Sequence, residues 1–312
     1  MITGHGPWPV VAGVDGSDGS MRAVRWAARQ AALWECPLRL VHAYAWPWIQ
    51  QPFVAGVPSH YRQALMNAAN DWLRKAADVA VQTAPELAVG TELISSTAAQ
   101  LLISESQRAR MVVVGSRGLG GFTGLLVGST AVALGAHAHC PVAVVRGAGE
   151  GREVPASGSV VLGVDGMPSS EAAIAVAFEA ASLRGAPLVA LHAWTDITVP
   201  DFAPMGPIQG WPVIEDDERR LLAERLAGWQ EKYPDVRVDR VIVQGRPAYN
   251  LLRAAEDAQL VVVGTRGRGG LRGLLLGSTS HALLHHAPCP VVVARPDLPI
   301  GPEVPPTPDA RP

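Results

Sequence analysis

Two glycine-rich segments carry the residue types that could bind an anion. Residues 111–130 read MVVVGSRGLGGFTGLLVGST and residues 260–279 read LVVVGTRGRGGLRGLLLGST, and 14 of the 20 aligned positions are identical. In each segment an apolar run leads into Gly-x2-Gly-x9-Gly-Ser-Thr, which indicates a strand, a loop and the start of a helix. Because unpaired backbone N–H groups at a helix start favour negative charge, the two segments predict two phosphate-binding sites.

These loops differ from the two most familiar nucleotide-binding motifs. A Walker A loop needs Gly-Lys-Ser/Thr, but the chain has only two lysines, Lys75 and Lys232, and neither is near a loop. A dinucleotide fingerprint should follow the first strand of a domain and not the fourth, and its third glycine is missing here. Arginines, which can bind phosphate oxygens through two hydrogen bonds, supply the charge in the loops. They are Arg117, Arg266, Arg268 and Arg272.

The matched loops belong to a repeat that covers most of the chain. VVAGVDGSDGS at 10–20 matches VVLGVDGMPSS at 160–170, and AHCPVAVVR at 138–146 matches APCPVVVAR at 287–295. Segments that match in the same order, at a nearly constant offset, indicate two similar halves.

Length and composition support two packed domains. The chain has 312 residues, of which 48% are hydrophobic and 17% charged, and this length suits two domains of about 150 residues each. We expect a first domain at 1–147, a linker at 148–158, a second domain at 159–296 and a proline-rich tail at 297–312.

Short apolar runs alternate with helical patterns inside each half. In the first half, strands are predicted at 9–14, 38–44, 88–94, 111–115 and 141–146, and helices at 18–34, 60–83, 97–107 and 128–138. This alternation requires parallel strands with helices on both faces. We therefore predict two tandem doubly wound, Rossmann-like α/β domains, each with a five-stranded parallel sheet. The GVDGS turn and the glycine-rich loop follow strands one and four, so they meet if these strands are neighbours.

The motifs together resemble the universal stress protein family. The glycine-rich loop, a first turn of the GVDGS type and a terminal PVxVV strand are present in both halves, so the chain is similar to the tandem members of that family. In the family, the loop motif marks the members that bind ATP. The resemblance therefore implies ATP as the ligand of both halves.

The resemblance also implies which residues line each nucleotide site. In the first half they are Gly13, Val14, Asp15, Ala43, Val114, Gly115, Arg117, Gly118, Gly128, Ser129 and Thr130. In the second half they are Gly163, Val164, Asp165, Ala193, Val263, Gly264, Arg266, Gly267, Gly277, Ser278 and Thr279. The alanines are expected beside the adenine, and the Gly-Ser-Thr segments on the phosphate chain.

The aspartates need a different role, because a carboxylate repels a polyphosphate. We expect Asp15 and Asp165 to accept hydrogen bonds from ribose hydroxyls or the adenine amino group, or to hold a Mg2+. The alternative is that Asp-Gly-Ser forms only a turn with a helix cap, and that the loops serve strand–helix packing without a ligand.

The halves differ next to these motifs. Ser95, Ser96 and Thr97 of the first half replace Gly245, Arg246 and Pro247 of the second, and Ser17 is replaced by Met167. We therefore do not expect the two sites to be equivalent.

Several other residues have simpler interpretations than catalysis or metal binding. His42 and His192, at the ends of the second strands, are interpreted as packed histidines bonded to backbone. A zinc site is not expected, because the first half does not repeat the spacing. That candidate site would comprise His281, His285, His286 and Cys289. Cys140 and Cys289 are interpreted as buried small side chains.

Charge and targeting signals limit the partners. A net charge of −2 gives no reason to expect nucleic acid. The N-terminal sequence lacks a signal-peptide pattern, and no apolar run is long enough to insert into a membrane. Three cysteines without a disulfide framework favour the cytoplasm.

The leading hypothesis is an ATP-binding regulator of stress responses that signals nucleotide state to a protein partner that the sequence does not identify. No catalytic residue is identifiable, which favours a regulator over an enzyme. A slow ATPase or nucleotidyl-transfer enzyme is the alternative hypothesis. A ligand-free scaffold is a third hypothesis. The family assembles through its fifth strands, so the resemblance implies either a homodimer or pairing of the two halves within one chain.

Overall fold

The computed structural model describes residues 8–44, 59–118, 127–146, 155, 157–194, 211–265 and 276–295, without the side chains of 59–62 and 211–214. Most of the predicted linker and the whole predicted tail therefore lie outside the described residues.

Strands and helices alternate along the described chain as predicted. The strands are β1 Val10–Gly13, β2 Leu38–Tyr44, β3 Val89–Ser95, β4 Met111–Gly115, β5 Val142–Val145, β6 Ser159–Val164, β7 Leu188–Trp194, β8 Val238–Gln244, β9 Ala258–Gly264 and β10 Val291–Ala294. The helices are α1 Asp18–Leu33, α2 Ser59–Thr83, α3 Ala98–Glu105, α4 Ser129–His137, α5 Glu171–Arg184, α6 Trp211–Lys232, α7 Pro247–Ala254 and α8 Ser278–His286. Three short 3-10 turns occupy Ser106–Arg108, Pro168–Ser170 and Ala255–Asp257.

Each half has a parallel sheet in which the first and fourth strands are neighbours. The whole sheet has the order β3-β2-β1-β4-β5-β10-β9-β6-β7-β8. Val10 of β1 pairs with Leu38 of β2 on one side and with Met111 of β4 on the other. The strand order reverses at this point, which is where open α/β sheets bind ligands. The prediction of two doubly wound α/β halves is confirmed.

The two halves join through their fifth strands, which run antiparallel. Val144 pairs with Val291, Ala143 with Val292 and Val142 with Val293. The pairing within the chain is therefore present. It occupies both edges of β5 and of β10, so a homodimer stays a prediction and would need another surface. Because the seam is antiparallel, the carboxyl ends of the two half-sheets point to opposite edges.

Both faces of the sheet are covered, which explains the continuous valine runs. Side chains on one face, such as those of Val10 and Ala12, pack with α1, α2, α5 and α6. Side chains on the other face, such as that of Val11, pack with α3, α4, α7 and α8. Trp229 contributes to this packing, since its indole stacks on Phe178, which is completely buried.

Polar contacts also connect the halves on the face that α1 and α5 cover. Arg110 of the first half forms an ion pair with Glu179 of α5 at 2.6 Å, and Arg184 of α5 donates to the side-chain oxygen of Gln30 on α1. Burial lowers the pKa of Arg184 to about 10. At neutral pH this guanidinium is still charged and bridges the two halves.

Candidate functional site

The first turn of the first half is held by Asp15. Its Oδ1 accepts hydrogen bonds from the backbone N–H of Ser17 at 3.0 Å and from the Ser17 hydroxyl at 2.6 Å. The Ser17 hydroxyl oxygen in turn accepts from the backbone N–H of Ser20 and caps α1. The turn-and-cap interpretation therefore describes the local geometry correctly. It accounts for the position of Oδ1.

The glycine-rich loop begins directly against this turn, as predicted. A Cβ on Gly118 would lie 2.1 Å from Asp15 Oδ2, and a Cβ on Gly115 would lie 2.7 Å from the carbonyl carbon of Gly19. Real Cβ atoms do not tolerate such distances, so the end of β4 and the start of α1 can approach only through glycines. Gly115 and Gly118 thus bring the loop to the Asp15 carboxylate.

The loop returns to its starting point before α4 begins. The backbone N–H of Gly128 donates to the Ser116 carbonyl at 2.8 Å, and in the second half Gly277 donates to Thr265 at 2.7 Å. Each helix then starts at an exposed serine, Ser129 or Ser278. Neither glycine supplies a side-chain cap, so the first N–H groups of both helices can bind an anion.

Part of each glycine-rich loop lies outside the described residues. Residues 119–126 and 266–275, which include Arg266, Gly267, Arg268 and Arg272 of the sequence prediction, lie outside the described residues. The described remainder of each predicted site does lie at the carboxyl ends of the first, second and fourth strands of its half.

Two predicted site glycines also have a packing role. A Cβ on Gly13 would come within 3.1 Å of Leu102, and a Cβ on Gly163 would come within 3.0 Å of Leu251. These leucines belong to α3 and α7, on the face opposite α1 and α5. A glycine at the end of each first strand therefore serves helix packing, whether or not a ligand lies beside it.

The histidines at the second strands are packed, as interpreted from the sequence. His42 Nδ1 donates to the Val14 carbonyl at 2.6 Å, and His192 Nδ1 donates to the Val164 carbonyl at 2.7 Å. Both hydrogen bonds fix the backbone just before the site aspartate. Ala43 and Ala193 follow these histidines and are half-buried.

The second half leaves a carboxylate oxygen without a partner. Oδ1 of Asp165 accepts from the Met167 backbone N–H at 2.9 Å and from the Ser170 hydroxyl. Ser170 thus takes the place that Ser17 has in the first half. Oδ2 of Asp165 is buried, and no donor in the described part of the chain reaches it. A buried oxygen of this kind requires a hydrogen-bond donor or a cation.

Different helices cover the first turn in the two halves. In the first half, Gly16 has φ +84°, and a Cβ on it would lie 2.6 Å from the indole of Trp72. This indole meets the His42 ring edge-on. In the second half, Arg225 of α6 donates to the Gly166 carbonyl at 3.2 Å.

Glu218 of α6 supplies a further difference, which the sequence did not indicate. Its Oε2 lies 2.9 Å from Nε2 of His192, which is 1% exposed. His192 therefore contacts a backbone carbonyl through Nδ1 and a carboxylate through Nε2. The pair ties α6 to β7 behind the second site.

The junction after the third strand also differs, as the substitutions there suggested. Thr97 caps α3 by accepting from the Gln100 backbone N–H. In the second half Gly245 and Arg246 are both left-handed, with φ of 62° and 48°. The Asn250 side chain donates to the Gly245 carbonyl at 2.9 Å and holds this turn. The rims of the two candidate sites therefore have different shapes.

The histidines of α8 show no metal-binding arrangement. Among the described residues, no three His, Cys, Asp or Glu side chains cluster so that they could hold a metal ion. His281 and His285 lie with ring centroids 4.4 Å apart. Burial, reinforced by the charges of His281, His286 and Arg146, lowers the pKa of His285.

The fold and the loop geometry define a tandem Rossmann-like α/β protein with a glycine-rich loop at each carboxyl edge. The sequence profile of the universal stress protein family matches this chain twice, at residues 9–146 and 157–295. The chain therefore belongs to the universal stress protein family.

Individual relatives share the tandem organisation. The chain is 44% identical over 304 residues to a universal stress protein of Mycolicibacterium smegmatis, covering 95% of this chain and 100% of the relative. It is 40% identical over 301 residues to universal stress protein Rv2623 of Mycobacterium tuberculosis, covering 96% and 100%. A universal stress protein structure from Archaeoglobus fulgidus is similar in fold, with a TM-score of 0.68, 18% identity and coverage of 92% and 98%.

None of the helices in the described ranges combines the length and the apolar character that a membrane span requires.

The first prediction concerns the turn at Gly16. Replacing Gly16 with Ala should lower the free energy of unfolding by about 1–3 kcal/mol, because a left-handed residue gains a Cβ that meets Trp72. Gly90→Ala is the matched control, since no atom lies within 4 Å of its Cβ and alanine suits a strand better than glycine does. Denaturant unfolding of both variants measures the difference. Equal stability of the two variants would contradict the turn geometry.

The second prediction concerns the thiols. Burial raises the pKa of Cys140 and of Cys289 to about 12 and also raises the pKa of Cys36. Below these values the thiols stay protonated, so at about pH 8 the folded protein should react very slowly with a thiol reagent. The unfolded protein should react at all three cysteines. Rapid labelling of the folded protein would show that a thiol is accessible and ionised.

Proposed function

We propose that this protein is an ATP-binding stress-response regulator with one nucleotide site in each half, which signals nucleotide state and does not turn over a substrate. The observation that carries the proposal is the buried Oδ2 of Asp165, which no donor in the described chain satisfies. Asp165 comes directly after β6, the first strand of its half, where the strand order reverses. α8 begins after β9, the fourth strand of this half, which is the neighbour of β6 in the sheet.

A nucleotide suits this combination of groups. The open N–H groups at Ser278 and Thr279, at the start of α8, favour a polyphosphate, while the Asp165 carboxylate favours a ribose hydroxyl or an amino group. These opposite preferences fit a ligand that has an anionic end and a hydrogen-bond donor end. An inorganic anion alone would leave the aspartate unsatisfied.

The residues also fit a Mg2+ that accompanies the phosphates. Asp15 and Asp165 are oxygen ligands of the kind that Mg2+ prefers, and the ion would neutralise phosphate charge next to the carboxylate. Both aspartates use Oδ1 to hold their own turn, and in Asp165 the remaining oxygen, Oδ2, is the one that would face the ion or the ribose.

The hydrogen bonds that Oδ1 of each aspartate accepts also favour ligand binding over catalysis. A general base must take up a proton and pass it on, but each aspartate here is fixed by two hydrogen bonds from its own turn. Such a carboxylate suits orientation of a ligand better than proton transfer. A slow ATPase or a nucleotidyl-transfer enzyme is therefore the second candidate function.

We propose the cytoplasm as the compartment, because all three cysteines are buried and free. A protein partner that reads the nucleotide state is part of the proposal, since a regulator without catalysis must act by binding. A homodimer is proposed only through a surface other than the fifth strands.

The third prediction tests the site assignment. Wild-type protein should release two molecules of ATP or ADP per chain on heat denaturation, and Gly118→Ala should reduce this number toward one. The reason is that the new Cβ would lie 2.1 Å from Asp15 Oδ2 and displace the carboxylate. The control is Gly228→Ala on α6, where no atom lies within 4 Å of the added Cβ.

Chromatography of the released nucleotide and calorimetric titration with ATP and Mg2+ give the stoichiometry. If Gly118→Ala releases as many nucleotide molecules per chain as the wild-type protein, the first site lies elsewhere. Absence of nucleotide, together with no binding in calorimetry, would favour the ligand-free scaffold.

The fourth prediction separates a regulator from an enzyme. Purified protein with excess ATP and Mg2+ should complete fewer than a few turnovers per site per minute, because each site aspartate is held by two hydrogen bonds from its own turn and is poorly suited to activate the attacking water. Release of phosphate and formation of AMP are both measured. Faster turnover that Asp165→Asn abolishes would favour the enzyme.

A further inference from the structure

Helices α4 and α8 each connect the candidate site of one half to the opposite half. α4 starts at Ser129, beside the first glycine-rich loop, and runs back along the sheet to His137. Because the seam is antiparallel, α4 ends at the edge where β10 finishes, which is the site edge of the second half. α8 is placed in the same way, from Ser278 to His286.

An arginine of the opposite half binds the end of each helix. Arg295, directly after β10, donates to the carbonyl of Ala138 at 2.8 Å and to that of Ala136 at 2.5 Å, both at the end of α4. Arg146, directly after β5, donates to the carbonyl of His285 at the end of α8. The two contacts repeat across the seam, although they join residues 139 to 159 positions apart.

Neither helix ends in a way that satisfies its own last carbonyls. The residues that follow, Ala138 and Ala287, are extended and not left-handed, so the usual glycine cap is absent. Proline follows within three residues in both cases, at Pro141 and Pro288. The terminal carbonyls therefore need donors from elsewhere, and the guanidinium groups of the opposite half supply them.

The helices also touch each other next to a candidate phosphate site. A Cβ on Gly135 of α4 would lie 3.5 Å from the side chain of Leu276, which is ordinary contact distance. Leu276 immediately precedes Gly277, the first residue of the second Gly-Ser-Thr segment. The end of α4 therefore lies close to the residue that leads into α8.

Arg146 lies close to the site of its own half as well. Burial, together with the charge of Arg117, lowers the pKa of Arg146. Arg117 is a predicted residue of the first site, while the carbonyl that Arg146 binds belongs to α8. Arg146 directly follows Val145, which pairs with Gly115 of the first site, and its guanidinium binds the His285 carbonyl at the end of α8.

We infer that Arg146 and Arg295 are positioning residues, each for the nucleotide site of the other half. Arg295 fixes α4 along its axis and so places the N–H groups that start at Ser129, and Arg146 does the same for α8 and Ser278. This inference rests on the proposed function. In consequence, each site is completed by the half that does not contain it.

Each arginine acts by fixing the position of a helix, and it affects only the binding of phosphate groups. A helix of nine residues is about 14 Å long, and the influence of a charge on a helix terminus fades within about one turn. The arginine therefore cannot attract the phosphate directly through the helix. Loss of the arginine should weaken binding of ATP and leave binding of adenosine unchanged, because adenosine makes no contact with the helix start.

Two variants isolate the sites in the full-length chain. Ser129→Asp and Ser278→Asp each place a carboxylate at an exposed helix start, where it favours the helix but repels phosphate. In the Ser129→Asp protein only the second site binds ATP, so Arg146→Met should lower its affinity for ATP about three- to tenfold while Arg295→Met leaves it unchanged. In the Ser278→Asp protein the roles of the two arginines should be exchanged.

Calorimetry with ATP and Mg2+, repeated with adenosine, gives the affinities, and circular dichroism with thermal unfolding checks the fold. Arg146→Lys and Arg295→Lys keep a charge that can reach a terminal carbonyl, and they should restore part of the affinity. They also replace any methionine variant that does not fold.

The crossed pattern decides the question. Loss of ATP affinity in the half that contains the mutated arginine, equal loss in both halves, or equal loss for adenosine would overturn the inference. If wild-type protein binds neither ATP nor adenosine, the proposed function itself fails. If only one half of the wild-type protein binds ATP, the inference requires that replacing the arginine of the other half lowers this affinity for ATP.

Discussion

Antiparallel pairing of β5 with β10 is the constraint on which the rest of the structure depends. Three residue pairs, from Val142–Val293 to Val144–Val291, join two half-sheets that are otherwise parallel. The pairing covers the edge that each half-sheet would otherwise expose, which removes a template for aggregation. It also turns the carboxyl ends of the halves to opposite edges, so the two candidate sites cannot share one pocket. Any communication between them must cross the seam, and α4 and α8 each run from one candidate site to the opposite half.

Much of the fold follows from patterns that act over short distances along the chain. Continuous valine runs at 111–115 and 141–146 predict strands buried on both faces, because only helices on both sides could cover them. The predicted ends of these strands agree with the observed ones to within one residue. The contact between the first turn and the glycine-rich loop was also predictable, since parallel strands bring their carboxyl ends together. Asp15 and the backbone-bonded His42 lie where that reasoning placed them.

Other parts of the site depend on contacts between distant residues, and no local pattern reports those. Glu218 stands in the charged run EDDERRLLAERL, where the sequence does not distinguish it from its solvent-exposed neighbours. Only the packing of α6 on β7 shows that it meets His192. The contact of Trp72 with Gly16 likewise depends on how α2 crosses the first turn. Arg146 and Arg295 end their strands as ordinary polar residues, and their role depends on the antiparallel seam.

The glycines of the motif separate what the protein needs for itself from what a ligand would need. Gly115 is required by the close approach of β4 to the backbone of α1, while Gly118 and Gly13 make room for the side chains of Asp15 and Leu102. All three glycines thus have a role in packing that does not depend on a ligand. Gly128 is different: it has an ordinary φ of −72°, and its Cβ would meet only the Ser116 carbonyl, at 3.7 Å, among the described residues. The described chain therefore has room for a side chain at this position. A glycine here keeps the first N–H groups of α4 open, and a phosphate group is the kind of ligand that uses such an opening. Gly128 thus adds an argument for a ligand in the first half to the one that the buried Oδ2 of Asp165 gives in the second.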